Sequence, residues 1–272
     1  MNEPKGGEGM PMLRSLKGLE GYAVSATDGY IGSVANFLVD DERWVIRYLV
    51  VETGGFFSGR RVLISPVSFR QVHWRSTLGF DLALTMDKVK NSPSIDVDKP
   101  VSRRHELDWF DYYGYSHYWG PGLRTTGRSN EAPAVQSEEQ PGDVHLRSAK
   151  EIRGYHIEGT DAAIGHVDDF IIDDETWEVR YLVIDTANWW LGKQVLVAPR
   201  WASRISWAEK KVFVDLSRQA IRNSPDWNPS APVDREYEAR LYDHYGRPVY
   251  WNSSDRAAQT PPTNQHAGSH AR

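Results

Sequence analysis

The chain has 272 residues, of which 40% are hydrophobic and 25% charged, with a formal net charge of -5. These values fit a globular protein of one large or two moderate domains and exclude a wholly disordered chain, while the net acidity removes any overall attraction to nucleic-acid phosphates. With no cysteine there is no disulfide, no thiolate nucleophile and no Cys-ligated zinc.

Residues 1–12 carry too little apolar character to pack and are expected to be disordered. They lack the basic and apolar regions of a secretory signal, and no run approaches the ~18 apolar residues of a spanning helix, so the sequence predicts a soluble, cytoplasmic protein.

From Leu13 the chain repeats itself. Residues Leu13 to Thr53 align without a gap on Leu146 to Thr186, an offset of 133. Arg60 to Pro66 then matches Lys193 to Pro199 and Trp74 matches Trp207. One residue is lost there, and Asn91-Ser92-Pro93 matches Asn223-Ser224-Pro225, with Tyr118-Trp119 later matching Tyr250-Trp251. Such self-similarity means two copies of one folding unit. The units are repeat 1 at 13–93 with an aromatic helical tail at 94–120, a flexible linker at 121–144, repeat 2 at 146–225 with its tail at 226–252, and a disordered end at 253–272.

Within repeat 1, Tyr22–Ser25, Ile31–Val39, Val45–Glu52, Arg61–Ile64, Val67–Trp74 and Phe80–Leu84 are short β-branched or aromatic runs separated by turn residues. Thr27-Asp28-Gly29 joins the first two, and Asp40-Asp41-Glu42, matched by Asp173-Asp174-Glu175, forms the next hairpin tip. The apolar parity changes between Val34 and Phe37, which predicts a bulge. Six short strands without a βαβ pattern predict a mainly β fold, with two tandem small antiparallel barrels, each followed by short C-terminal helices. Thr85 and Ser217 are N-caps of the first such helix, carrying Val89 or Ile221 inward. Ser102 and Asp234 cap the second, which places Leu107, Phe110 and Tyr113, or Leu241, Tyr242 and Tyr245, on one face and closes at Gly114 or Gly246.

The succession Gly-Tyr, Thr-Asp-Gly, Ile-Gly-x-Val, an acidic hairpin, Arg-Tyr-Leu-Val and Gly-Arg-x-Val-Leu-Ile-x-Pro, occurring twice with variations, resembles the PRC-barrel family. The resemblance covers about 80 residues of each copy. It implies likeness to the cytoplasmic barrel of the photosynthetic reaction centre H subunit and to the C-terminal barrel of the ribosome maturation factor RimM, and a role in docking and assembly rather than catalysis.

Several residues are candidates for contact. The loop aromatics Phe56, Phe57, Trp189 and Trp190, with Arg60 and Lys193 nearby, are candidate partner anchors, because buried aromatic residues often dominate interfaces; the plainer reading is that one ring of each pair plugs a barrel end. The tail aromatics Trp109, Phe110, Tyr113 and Trp119, and Leu241, Tyr242, Tyr245 and Trp251, are expected to pack on a barrel and to lock the copies as a pseudo-twofold pair, since an exposed cluster of this size is rare. The acidic tips, with Asp168 and Asp169, offer hard oxygen ligands to Ca²⁺ or Mg²⁺, but repeat 1 has Ala35 and Asn36 there, and solvated turns are the preferred reading.

No paired histidine spacing, nucleophile elbow, phosphate loop or dinucleotide fingerprint occurs, so the sequence predicts no cofactor, no metal and no catalytic residue. The expected function is a non-enzymatic, protein-binding scaffold, with nucleic acid disfavoured as a partner. The alternatives are a small-molecule or membrane-surface binder using the aromatic loops, and a RimM-like accessory of ribosome maturation.

Overall fold

The computed structural model describes residues 12–54, 59–74, 78–93, 101–115, 144–186 and 193–251. Repeat 1 contains β1 (Leu13–Ser15), β2 (Ala23–Ala26), β3 (Gly29–Asp40), β4 (Val45–Thr53), β5 (Arg61–Ile64), β6 (Phe69–His73), β7 (Gly79–Leu82), α1 (Met86–Lys90), β8 (Val101–Ser102) and α2 (Arg103–Tyr113). Repeat 2 contains β9 (Val144–Ser148), α3 (Ala149–Ile152), β10 (His156–Glu158), β11 (Ala163–Asp173), β12 (Val179–Asp185), β13 (Gln194–Val197), β14 (Ala202–Ser206), β15 (Lys211–Val214), α4 (Arg218–Arg222) and α5 (Arg235–His244).

Each repeat forms one curled sheet, ordered β5-β4-β3-β2-β7-β6 in the first and β13-β12-β11-β10-β15-β14 in the second. Two features depart from the expected antiparallel barrel. Strand β2 runs parallel to β7, and β10 parallel to β15, so the sheets are mixed. Among the described residues no ladder joins β5 to β6 or β13 to β14, so each sheet is barrel-like without closing by hydrogen bonds. Alternation of apolar residues carries no sign of strand direction, which is why the parallel pair escapes a sequence reading. Val67, read as strand, lies in a 3-10 turn at Pro66–Ser68, where the proline ring presets the backbone.

The continuous apolar run in β4 follows from burial on both faces. Leu49 and Val51 point into the main core with Phe37, Val39, Val62 and Ile64, whereas Tyr48 and Val50 point outward into a second cluster with Leu38, Leu63, Trp109 and Phe110. Helix α2 therefore roofs the outer face, so neither face of the strand needs polar residues. The bulge falls where parity changes, with register shifting between Val34 and Asn36 and, in the second copy, between Val167 and Asp169.

Thr85 and Ser217 accept from the backbone N–H of Lys88 and Ala220, and Asp234 accepts from that of Tyr237. Gly114 and Gly246 end their helices at positive φ, 74° and 60°, where a Cβ would be strained. Asp28 and Asp161, in the β2–β3 and β10–β11 turns, accept from the first amide N–H of α1 and α4.

Candidate functional site: the face shared by the two copies

The copies exchange their N-terminal arms. Strand β1 leaves its own repeat and pairs antiparallel with β11, Leu13 opposite Asp173 and Ser15 opposite Ile171. Strand β9 does the same in return on β3, Leu146 opposite Asp40 and Ser148 opposite Leu38. Every pair in one ladder has its repeat-equivalent in the other, so the contact is isologous about a pseudo-twofold axis. Val144, placed in the linker by composition, already belongs to β9.

Side chains repeat the reciprocity. Arg14 pairs with Asp174 at 2.7 Å and lies 4.0 Å above the Trp74 ring; Arg147 pairs with Asp41 at 3.0 Å and lies 4.3 Å above Trp207. The Ser15 hydroxyl donates to Asp169 at 2.5 Å, and Asp169 also accepts from the Lys17 backbone N–H. In the mirror position the Asn36 amide donates to Ser148 at 2.7 Å and its oxygen accepts from the Lys150 N–H. Burial raises the Asp169 carboxyl above its ordinary range, against the pull of these hydrogen bonds. Asp168 pairs with Lys17 at 2.8 Å across the same face.

The acidic hairpin tips belong to this face too. Asp40 Oδ1 accepts from the backbone N–H groups of Glu42 and Arg43 while Oδ2 holds Arg47; Asp173 binds Glu175, Thr176 and Arg180 in the same way. Burial alone would raise the Asp173 carboxyl, but the two backbone N–H donors and the Arg180 guanidinium together hold it below its ordinary value. These aspartates thus shape turns and join copies. Among the described residues no three His, Asp or Glu side chains gather as a metal site.

Beyond each tip a tryptophan adopts the left-handed conformation, Trp44 at φ 56° and Trp177 at φ 60°, which is strained for a side-chain-bearing residue. The strain buys a junction: the Val179 N–H donates to the Trp44 carbonyl at 2.7 Å and the Ile46 N–H to that of Trp177 at 2.8 Å. Trp177, only 7% exposed, inserts its ring into the other repeat, 5.4 Å from Phe69 and 6.0 Å from Phe80.

The aromatic tails pack on their own repeats. Trp109 meets Tyr48 edge-on at 4.8 Å, and Tyr242 and Tyr245 meet Trp201 at 5.1 and 5.0 Å; Trp251 lies 5.8 Å from Tyr242. Among the described residues the tails reach the other copy at its exchanged arm, through Leu146 beside Trp109, Phe110 and Tyr113, and through Leu13 bridging to Val233. Of the residues expected to lock the copies, Trp109, Phe110 and Tyr113 share a cluster with the other copy's Leu146, and the arms and hairpin tips also join the copies; Trp119 lies outside the described residues.

Under each tail a buried glutamate is held by a tyrosine. Tyr48 donates to Glu106 at 2.8 Å and Tyr181 to Glu238 at 2.7 Å, with Glu238 also bound by Arg235 and Tyr250. Burial drives the Tyr181 hydroxyl far above its ordinary pKa, with the neighbouring Tyr242 and Glu238 adding to it, and pushes Tyr113 and Tyr245 up to about 12. The Tyr181, Tyr113 and Tyr245 hydroxyls therefore stay protonated near neutrality.

Arg60 and Lys193, read from sequence as partner contacts, tie their loop to the helix that follows β7 or β15: Arg60 donates to Ser92, and Lys193 to the Ser224 carbonyl at 2.7 Å. Phe56, Phe57, Trp189 and Trp190 lie outside the described residues. What the sequence reading lacked is the cleft that pairing creates. A cavity of about 550 Å³ is walled by Val45–Tyr48, Pro66, Val67, Phe110 and Tyr115 of repeat 1 and by Thr176 and Trp177 of repeat 2. A second cavity, of about 420 Å³, lies between Met12 and Leu13, Asp173 and the start of α5.

Among the described residues no helix is long and apolar enough to cross a membrane. The chain is 40% identical over 72 residues to an uncharacterized protein of Deinococcus radiodurans, a stretch covering 26% of this chain and 25% of that relative, so the match spans about a quarter of each. The family described as PRC-barrel domain matches twice, over residues 13–76 and 145–221, one match in each copy. Matched over just over half its length, with the two segments packed as a reciprocal pair, the chain belongs to the PRC-barrel domain family.

Proposed function

We propose that the protein is a non-catalytic binding and assembly module whose paired repeats present one composite surface to a protein partner. The observation that carries this reading is the larger cleft, because its walls come from both copies and it exists only when they are paired. Val67 stands 62% exposed on its rim, an aliphatic group beside the rings of Phe110, Tyr115 and Trp177. A lining that mixes Val45, Ile46, Val67, Phe110 and Trp177 with Arg47, Ser65 and Thr176 suits a hot-spot side chain of a partner. The buried carboxylates favour framework over chemistry: Glu106 and Glu238 are held by tyrosine hydroxyls at equivalent positions in both copies, a repetition expected of a structural part.

The test is affinity capture by the immobilised full chain from a lysate of its source organism, solubilised membranes included. Val67→Asp places a charge on the rim without touching the core, and Trp189→Ala/Trp190→Ala removes the aromatic loop. A defined protein retained by the wild type and released by Val67→Asp supports the cleft. Equal retention by Val67→Asp and loss with the loop variant moves the site to the loop, and retention of nothing by the wild type removes the assembly reading.

A further inference from the structure

Positions that face their own repeat-equivalent mark the pseudo-twofold axis, and one of them carries opposite charges in the two copies. Glu20 aligns on Arg153 at the offset of 133, and the two form a direct ion pair across the shared face. Their side chains are 23% and 15% exposed, so solvent screens the pair only in part.

Among the described residues this position differs in kind from the other polar contacts between the copies. Arg14 and Arg147 are both arginine and face aspartates, Asp174 and Asp41. Ser15 and Ser148 are both serine, facing Asp169 and Asn36. Lys17 and Lys150 are both lysine. When one side of a contact is the same residue in both copies, pairing unlike copies gives the same total as averaging the two like pairings, and the contact favours neither. Glu20 and Arg153 do not cancel. Two first repeats would set Glu20 against a second Glu20, and two second repeats would set Arg153 against a second Arg153. Another self-facing position among the described residues, Val45 opposite Glu178, discriminates less, because Glu178 is held within its own copy by Arg180 at 2.6 Å and Arg200 at 3.8 Å.

We propose that Glu20 and Arg153 are the specificity determinants of the shared face, making it accept a repeat of opposite charge at this position and reject a like one. The arm exchange supplies a general affinity for any second repeat, and the axial pair selects which. This goes beyond the partner cleft and holds whether or not a partner docks there.

The test uses the folded full chain with a protease site inserted between residues 125 and 135, so that cutting leaves both repeats already assembled. After equilibration in mild urea, native mass spectrometry counts unlike and like pairs, which differ in mass. The cut wild type is expected to hold unlike pairs about tenfold or more above the statistical ratio. Glu20→Arg makes all three pairings Arg against Arg and should bring the ratio to statistical, while Glu20→Arg/Arg153→Glu should restore the wild-type ratio. A Glu20→Arg ratio equal to wild type, or a double variant that stays statistical, overturns the assignment. Should Glu20→Arg fail to fold, the double variant decides: recovered folding with recovered selectivity supports it, and continued failure overturns it.

Discussion

Trp177 allows the balance between packing and backbone strain to be measured at one residue. Truncation to Ala removes a large ring buried against Phe69 and Phe80 of the other repeat, a change that costs about 3–5 kcal/mol in a core. At φ 60° an L-residue also bears about 1–2 kcal/mol of left-handed strain, which alanine keeps and glycine sheds. Glycine in turn loses about 0.5–1 kcal/mol more chain entropy on folding. Trp177→Gly should therefore be the more stable of the two variants by about 0.5–1 kcal/mol, the reverse of the usual order. Urea unfolding followed by far-ultraviolet circular dichroism reads this as a higher midpoint for Gly at unchanged slope. Trp44, at φ 56°, should show the same order. An alanine variant as stable as the glycine one, or more so, at both positions would refute the strain argument.

Two further outcomes follow from the buried polar groups. Asp169→Asn copies Asn36, which already serves the mirror position. Because the folded-state carboxyl is raised, the charged form opposes folding above that pKa and the opposition is lifted as pH falls through it. The variant should thus be more stable than wild type at pH 7, with the difference vanishing below the ordinary value of 3.8; a constant difference across that range would count against it. Tyr181→Phe removes one of the donors to Glu238, which is 2% exposed, and should lower stability by about 1–3 kcal/mol in the same urea assay, against no change if the hydrogen bond is dispensable.

Much of the local architecture was legible because it rests on chemistry within a few residues. The parity break at Val34–Phe37, the caps Thr85, Ser217 and Asp234, and the terminal glycines Gly114 and Gly246 each state their role through a short-range hydrogen bond or a φ requirement. The exchanged arms were not legible. Three residues, Leu13 to Ser15, are too few to show a period, and their ladder partner lies in the other repeat. Nor does the segment around Trp44 and Trp177 contain a glycine to announce positive φ; the strain is held by contacts across the axis. The shared face consequently appears only when both copies are folded, although the opposite charges at Glu20 and Arg153 were a signal available in the aligned repeats.

The reciprocal arms also set the order of events during synthesis. The end of β3, Leu38–Asp40, finds its neighbour on one side only when Leu146–Ser148 has left the ribosome, on the order of a hundred residues later. At ~5–20 residues per second that is roughly 5–20 s in which the first repeat exists with an open sheet edge and an uncovered socket for Trp177. A nascent chain in this state carries the face that another nascent chain's first repeat also carries, and the proposed opposition of Glu20 to a second Glu20 would then hold that face for the repeat still to come.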